Sequence, residues 1–332
     1  MTLTGLPMRH LFTVGKILIS ATLITLIIAK IDFSVFSFHW HKLSLSVVGT
    51  CLIVLALQTT LLSGLRLKLV LGCLKTQRSL ANTTQVAVCG FFFEQIAFGF
   101  VGGDGMRLWL LHRIKVVVRT ALEALLIDRC IGLLALLSIV LAGFPSLMHL
   151  LTNFPRQKVI LMSCVAVAAT AAIILLMLRV LPEKLLRRPL PTEIRTLASM
   201  LFRDVATRWR FLIVFSLALT AHLMNVMLFY LIGQELGISV SLSQWFIFVP
   251  AALLFSMIPV SVGGWGLREG ILVFALQGIG VSANEAVVPS IAFGLGVLLV
   301  SLPGGIVWLI KLRREPATRA QSADTSALPP QV

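Results

Sequence analysis

Charge is scarce in this chain. Only 12% of its 332 residues are Asp, Glu, Lys or Arg, while 58% are apolar and the mean hydropathy is +0.99. No water-exposed surface tolerates that ratio, so a soluble globular protein is excluded. Five cysteines, Cys51, Cys73, Cys89, Cys130 and Cys164, form no CxxC pattern and lie mostly in apolar surroundings. A disulfide framework and a zinc site are therefore not expected, and the cysteines read as small core residues. The P-loop pattern GxxxxGK[ST] is missing, which argues against ATP hydrolysis by this chain. No metal, cofactor or catalytic residue is expected. The first apolar run, preceded by Arg9, His10 and Lys16, ends at Lys30-Ile31-Asp32 with no small-residue cleavage site. It reads as a retained first helix and not as a signal peptide.

Long apolar runs fill the space that charge leaves. A helix spanning a bilayer needs about 20 mostly apolar residues. The clearest runs are Leu11 to Ala29, Leu43 to Leu65, Ala121 to Phe144, Val159 to Leu178, Phe211 to Leu231 and Ala286 to Ile310. Two further stretches break at glycines. Gln85 to Phe100 runs into Val101-Gly102-Gly103-Asp104-Gly105, and Trp245 to Ile258 meets Pro259 and then Val262-Gly263-Gly264-Trp265-Gly266 before continuing to Val281. The expected fold is an all-α polytopic membrane protein with six full spans and two re-entrant or broken-helix hairpins. Residues 1–310 form its single membrane domain, 179–210 a basic connector and 315–332 a disordered, polar tail.

The 28 basic residues against 13 acidic ones give a net charge of +15, yet the cations bracket the apolar runs and do not gather on one face. That is the positive-inside pattern, and it accounts for the charge without nucleic acid. If the first hairpin returns to the side it came from, Arg66, Lys68, Lys75, Arg78, Arg107, Arg113, Lys115, Arg119 and the Arg179 to Arg210 loop share the cytoplasm with both termini. Lys30, Lys42, Arg156 and Lys158 then lie outside, with Arg129 and Arg268 at membrane depth. A full crossing would put the basic loop outside, against the rule. The expected location is the inner membrane of a bacterial cell. Within the connector, Ile194, Leu197, Leu201 and Val205 recur at helical spacing among arginines, as in an interfacial helix on anionic headgroups or a plain link between halves.

The two hairpin tips share the pattern V-G-G-x-G-apolar-R, in Val101 to Arg107 and Val262 to Arg268, 161 residues apart. Three full spans separate them, so the halves, about 11–144 and 159–310, run with opposite orientation. We read this as an inverted repeat, which in transporters places substrate near the midplane where broken helices meet. The alternative is that two glycine-rich turns serve close helix packing. Non-helical backbone at membrane depth requires burial or a wet cavity. Gly102, Gly103 and Asp104 in one tip, and Gly263, Gly264 and Gly266 in the other, are read as anion-binding concavities ahead of helices starting near Met106 and Leu267. Arg107 and Arg268 supply forked donors suited to phosphate. Arg107 otherwise snorkels to the interface, and Arg268 otherwise pairs locally with Glu269.

Ionisable groups inside a bundle cost roughly 2.5–3.5 kcal/mol each on insertion scales, which makes Glu94, Glu123, Asp128, Arg129 and Glu269 functional candidates. Asp128 and Arg129 diverge by about 100° on a helix, so each needs a partner elsewhere. A carboxylate such as Asp128 or Glu94 is expected to hold Arg107 or Arg268, or to carry a proton. His222 and Asn225, on one face of their span, read as interhelical hydrogen-bonding residues.

The run Ile258-Pro259-Val260-Ser261-Val262-Gly263-Gly264-Trp265-Gly266-Leu267-Arg268-Glu269, with Gly102-Gly103-Asp104, Arg107 and Ile127-Asp128-Arg129-Cys130-Ile131-Gly132, resembles the lysylphosphatidylglycerol synthase transmembrane-region family. This family includes the flippase domain of bacterial multiple peptide resistance factors. The similarity covers nearly all of Leu11 to Ile310. It implies movement of an anionic phospholipid or polyprenyl-phosphate-linked lipid between leaflets, in partnership with a separate lipid-modifying or glycosyl transferase. Where some members carry Glu before the third-span arginine, Asp128 stands here, with a shorter reach. Bifunctional members continue into a soluble lysyltransferase domain, whereas only Lys311 to Val332 follows here, so aminoacylation by this chain is not expected. Two other functions compete with a flippase or scramblase. An intramembrane lipid-phosphate enzyme would need a nucleophile, for which Ser261 is the only tip hydroxyl, and a small-anion transporter would move solute without lipid.

Overall fold

A computed structural model describes residues 43–96, 100–150, 162, 166, 169–170, 209–257 and 264–313. The expected spans Leu11 to Ala29 and Val159 to Leu178 (apart from Met162, Ala166, Ala169 and Thr170), the connector before Trp209, and the tail lie outside these residues, as do Cys164, Ser261 and Gly263. The described residues are helical, with no strand among them. Among the described residues, four helices are long and apolar enough to cross a membrane: α1 (Leu45–Cys73), α4 (Val118–Leu150, apolar over Val118–Gly143), α5 (Trp209–Glu235) and α8 (Ala283–Arg313, apolar over Ala283–Ile310). Between them lie two hairpins, α2 (Leu80–Ile96) with α3 (Phe100–Arg113), and α6 (Leu242–Ser256) with α7 (Leu267–Gln277).

Serines define several helix starts. Ser44 accepts from the Val47 N–H, Ser79 from that of Asn82, Ser241 forms a capping box with Gln244, and Ser282 exchanges bonds with Glu285. At the other ends of α1 and α3, Lys75 (φ 57°) and Lys115 (φ 63°) adopt left-handed backbone. That reversal lets the Thr76 and Val116 N–H groups reach back to Leu71 and Leu111 carbonyls.

Polar ties fix the direction of each helix. Ser44 N–H donates to Glu235 Oε1 at 3.1 Å, so the start of α1 and the end of α5 share one end of the bundle. Arg210 Nη1 donates to Gly72 O at 3.0 Å, placing the end of α1 and the start of α5 at the other. Arg78, just before α2, donates to the carbonyls of Ile114 and Lys115, just after α3. The first hairpin therefore enters and leaves at the same end, here called the basic end. Its legs of 17 and 14 residues extend roughly 25 and 21 Å, short of a bilayer core of about 30 Å.

Each hairpin has its own core. Leu71, Val86, Leu110, Leu111, Ala124 and Ile127 pack around the first, at the basic end. Phe229, Trp245, Phe248, Leu272, Val287 and Phe293 pack around the second. Across the middle the halves interlock: α2 packs on α8, and α6 packs on α4. Exchanging α1 to α4 for α5 to α8 leaves this pattern of neighbours unchanged.

Several elements differ from expectation. α1 continues past Leu65 to Cys73 and contains a π-helical turn over Gln58–Leu62, where Thr59 and Thr60 hydroxyls donate back to Leu55 and Ala56 carbonyls. More consequentially, Val101 to Gly105 is not a loop. α3 begins at Phe100, not near Met106, and the glycines lie in its first turns. The reason is steric: a Cβ on Gly103 would sit 2.8 Å from Gly90 O and 2.9 Å from Glu94 Cβ, so glycine lets α3 press against α2. The second tip is as expected, since α7 starts at Leu267 after a turn in which Gly264 (φ 76°) and Gly266 (φ 85°) are left-handed.

The α2–α8 contact is the tightest of these joints. A Cβ on Gly304 would lie 2.3 Å from Val88 O, a backbone atom that cannot turn aside. Gly304→Ala is therefore expected to lower stability by roughly 1–3 kcal/mol in denaturant unfolding of the purified protein in detergent, whereas Gly270→Ala, facing open space, costs nothing measurable.

Candidate functional site

Six charged side chains from four helices meet inside the basic-end half of the bundle. Arg107 of α3 donates through Nη1 to Asp104 Oδ1 at 2.7 Å and through Nη2 to Glu94 Oε2 of α2 at 3.1 Å. Arg129 of α4 donates to both Asp104 oxygens at 2.9 Å, Nε to Oδ2 and Nη2 to Oδ1, and lies 3.5 Å from Glu94. One turn-neighbour away, Asp128 accepts from Arg66 Nη2 of α1 at 2.8 Å, and the same nitrogen donates to the Asp128 carbonyl at 3.1 Å. Among the described residues, three guanidinium groups thus face three carboxylates and the charges balance.

Geometry follows from the sequence at each position. Arg107 can lie along α2 because residue 90 is glycine; a Cβ there would meet the Arg107 Cγ at 2.3 Å. Asp104 and Arg107, three apart on α3, point the same way. Asp128 and Arg129, one apart on α4, point to different partners, as their helical divergence requires. Side-chain exposures of 13% for Glu94, 15% for Arg107 and 28% for Asp104 and Arg129 describe groups withdrawn from the surface but open to a shared space. That space is a cavity of about 170 Å³, lined among others by Arg66, Glu94, Arg107, Asp128, Arg129 and His222. His222 Nε2 bonds the Gly132 carbonyl at 3.1 Å across α5 and α4. Arg66 Nε and His222 Nδ1 are buried and have no hydrogen-bond partner among the described residues.

The second tip is built differently. Arg268 donates to Glu269 Oε1, to Ser290 Oγ at 3.0 Å and to the Ser290 carbonyl at 3.1 Å. Glu269 also accepts the Gly266 N–H at 2.7 Å, closing the start of α7. Both are nearly sealed, at 6% and 3% exposure, with Arg268 over the rings of Trp265 and Phe293. Gly294 makes room for the guanidinium, since a Cβ there would lie 2.5 Å from Arg268 Nη2.

The expected residues therefore divide into groups. Glu94, Gly103, Asp104, Arg107, Asp128 and Arg129 meet around the first tip, with Gly102 beside them in α3. Gly264, Gly266, Arg268 and Glu269 form the closed second tip, where the local ion pair is present. Glu94 does hold Arg107, but Asp128 holds neither Arg107 nor Arg268; its partner is Arg66. Nor does Arg107 snorkel, since its guanidinium is tied inward. Glu123 stands apart, paired at 3.0 Å with Arg119, whose side chain is 74% exposed.

Two members were missed. Arg66 follows the apolar run that ends at Leu65 and so resembles a flanking cation; the signal against that was the continued helical spacing of Leu67, Val70 and Leu71. Ser290 lies 161 residues after Arg129, the same offset that relates the tips, and from α8 it accepts from Arg268 and donates to Glu269.

This fold and this cluster define a multi-pass, all-helical membrane protein with a charged site among its spans. The family model described as the lysylphosphatidylglycerol synthase TM region matches residues 13–306, and the chain belongs to that family. No curated protein and no solved structure matches it.

The two kinds of ion pair predict different costs. Asp104→Asn removes the acceptor shared by Arg107 and Arg129 and is expected to lower unfolding free energy by about 2–3 kcal/mol, less than for a wholly buried pair because the group is partly exposed. Glu123→Gln breaks a surface pair and is expected to cost less than about 1 kcal/mol in the same denaturation assay.

Proposed function

We propose that the protein moves a lipid with an anionic headgroup, a phospholipid or a polyprenyl-phosphate-linked lipid, between the leaflets of a bacterial inner membrane. One observation carries this reading. The charged cavity shares two of its lining helices with a second cavity, of about 510 Å³ and mainly apolar. α4 contributes Asp128, Arg129 and Gly132 to the first and Ile139, Ala142 and Gly143 to the second; α5 contributes His222 to the first and Leu219 and Leu223 to the second. Polar and apolar sites in tandem suit an amphipathic ligand, one end of which is a phosphate and the other an acyl or prenyl chain. A small-anion transporter has no use for the apolar half.

Charge balance bears on mechanism. A phosphate entering the cluster competes with Asp104 and Glu94 for the forks of Arg107 and Arg129, so the arginines exchange one anion for another and never stand bare in a low-dielectric site. Arg66 Nε–H, without a partner among the described residues, can donate to the phosphate, and His222 Nδ1, an acceptor while Nε2–H donates to the Gly132 carbonyl, can take a headgroup hydroxyl. In this reading Arg107, Arg129 and Arg66 contact the lipid, while Arg268 and Glu269 brace the second hairpin.

The inverted repeat supports alternating access. Hairpins packed reciprocally on the last span of the opposite half, α2 on α8 and α6 on α4, can rock as two bodies around the cluster. Met257, at the end of α6, lines the charged cavity, so the second hairpin reaches the first half's site. The basic end faces the cytoplasm under the positive-inside rule, and the lipid arrives from, or leaves to, a separate lipid-modifying or glycosyl transferase.

The test is leaflet exchange of a fluorescent anionic phospholipid in proteoliposomes of the purified protein. Faster exchange than in empty vesicles is expected, reduced at least about tenfold by Arg107→Gln with Arg129→Gln, which removes roughly 1.4 kcal/mol or more of headgroup stabilisation. No exchange by the wild type, or phosphate release from a prenyl diphosphate instead, would replace this reading with the enzymatic one.

A further inference from the structure

A third cavity, of about 540 Å³, lies at the basic end of α1, α2 and α5, outside the charged cluster. Lys68, Arg78 and Arg210 line it with Gln77, Ser79 and Gly72. Among the described residues none of these cations pairs with a carboxylate, in contrast to the six-membered cluster, where every arginine does. Three like charges around one space repel each other unless an anion joins them.

The cations are also held in place. Arg78 donates from Nε to the Ile114 carbonyl at 3.2 Å, from Nη2 to that of Lys115 at 2.8 Å and from Nη1 to that of Gln77 at 2.8 Å. A guanidinium clamped by three carbonyls keeps its charge and its remaining N–H groups at a fixed point. Arg210 is anchored on the Gly72 carbonyl. Lys68, exposed on the last turns of α1, supplies the third charge. The neighbouring turns add Lys75 and Lys115, kept in a left-handed conformation where glycine would be easier.

The position favours a lipid over a soluble anion. Trp209, 76% exposed at the start of α5, and Trp109, 39% exposed on α3 beneath Arg113, mark the level at which amphipathic rings meet headgroups. We infer that this cavity is a second, separate binding site, which holds the phosphate of an anionic phospholipid at the membrane surface one helical turn from the charged cluster. The two cavities share α1: Ser63, Arg66 and Leu67 face the cluster, and Lys68, Leu69 and Gly72 face the basic cavity. A headgroup docked here sits next to the cluster without yet disturbing its ion pairs. The site stands beside leaflet exchange and does not depend on it.

The experiment is native mass spectrometry of the full chain from nanodiscs of mixed phosphatidic acid and phosphatidylcholine. Wild type is expected to retain phosphatidic acid preferentially. Lys68→Gln and Arg210→Gln, both exposed and outside the cores, are each expected to cut that retention about fivefold, at roughly 1 kcal/mol per cation near a charged headgroup. Arg119→Gln, which removes an exposed cation that lines neither cavity, is expected to keep the preference. Soluble glycerol phosphate, the same phosphate ester without chains, is expected not to displace the lipid. Undiminished retention in the Lys68 and Arg210 variants, an equal loss in the Arg119 variant, or displacement by glycerol phosphate would each overturn the assignment. Failure of leaflet exchange with these results intact would leave it standing.

Discussion

An arginine can sit among membrane spans only if its charge is answered there, and that constraint organises this protein. Removing a guanidinium from water costs several kcal/mol that only close, well-oriented carboxylates return. Asp104 answers two arginines at once, Glu94 reaches the same pair, and Asp128 answers the third from a different helix. Because the partners come from α1, α2, α3 and α4, the ion pairs join elements that apolar packing alone would let slide. Lipid tails are as apolar as leucine, so helix association in a bilayer depends on such polar ties and on close approach at glycine. Gly90 and Gly103 supply that approach at the very place where Arg107 has to pass.

The two tips show how a repeated motif can serve different ends. In both, a guanidinium lies against a carboxylate, beneath a glycine on a neighbouring helix, and opposite a residue on the last span of its half. In the first, the residues at those places are charged and open onto a cavity. In the second they are Glu269 and Ser290, sealed by Trp265 and Phe293. Arg268 and Glu269 are almost wholly buried, whereas Arg107 and Arg129 border the charged cavity. Along α4, the residues that line the charged cavity precede those that line the apolar one.

Much of the architecture was legible in the sequence because the bilayer writes it in apolar runs: the long helices match those runs with their ends shifted by a few residues. The largest shift, at α1, arose because Arg66 and Lys68 interrupt the run without ending the helix. The glycine pattern located both hairpins, yet it does not distinguish a turn from a close helix contact, and the first tip turned out to be the latter. Arg129 was recognisable as a costly charge and Asp104 as part of the first tip, but their pairing was not, since they lie 25 residues apart on consecutive helices and only packing brings them together. The cavities depend on side-chain directions that no linear pattern encodes.

The central claim is that a lipid headgroup reaches the neutral cluster inside the bundle. Photocrosslinking with a phospholipid that carries a photoreactive group next to its phosphate, followed by peptide mapping of the full chain, tests it most directly. The account predicts label on the α3 and α4 segments around Arg107 and Arg129, lost when excess unlabelled anionic lipid competes. Label confined to the outward, lipid-facing sides of the long helices, with none in those segments, would contradict it.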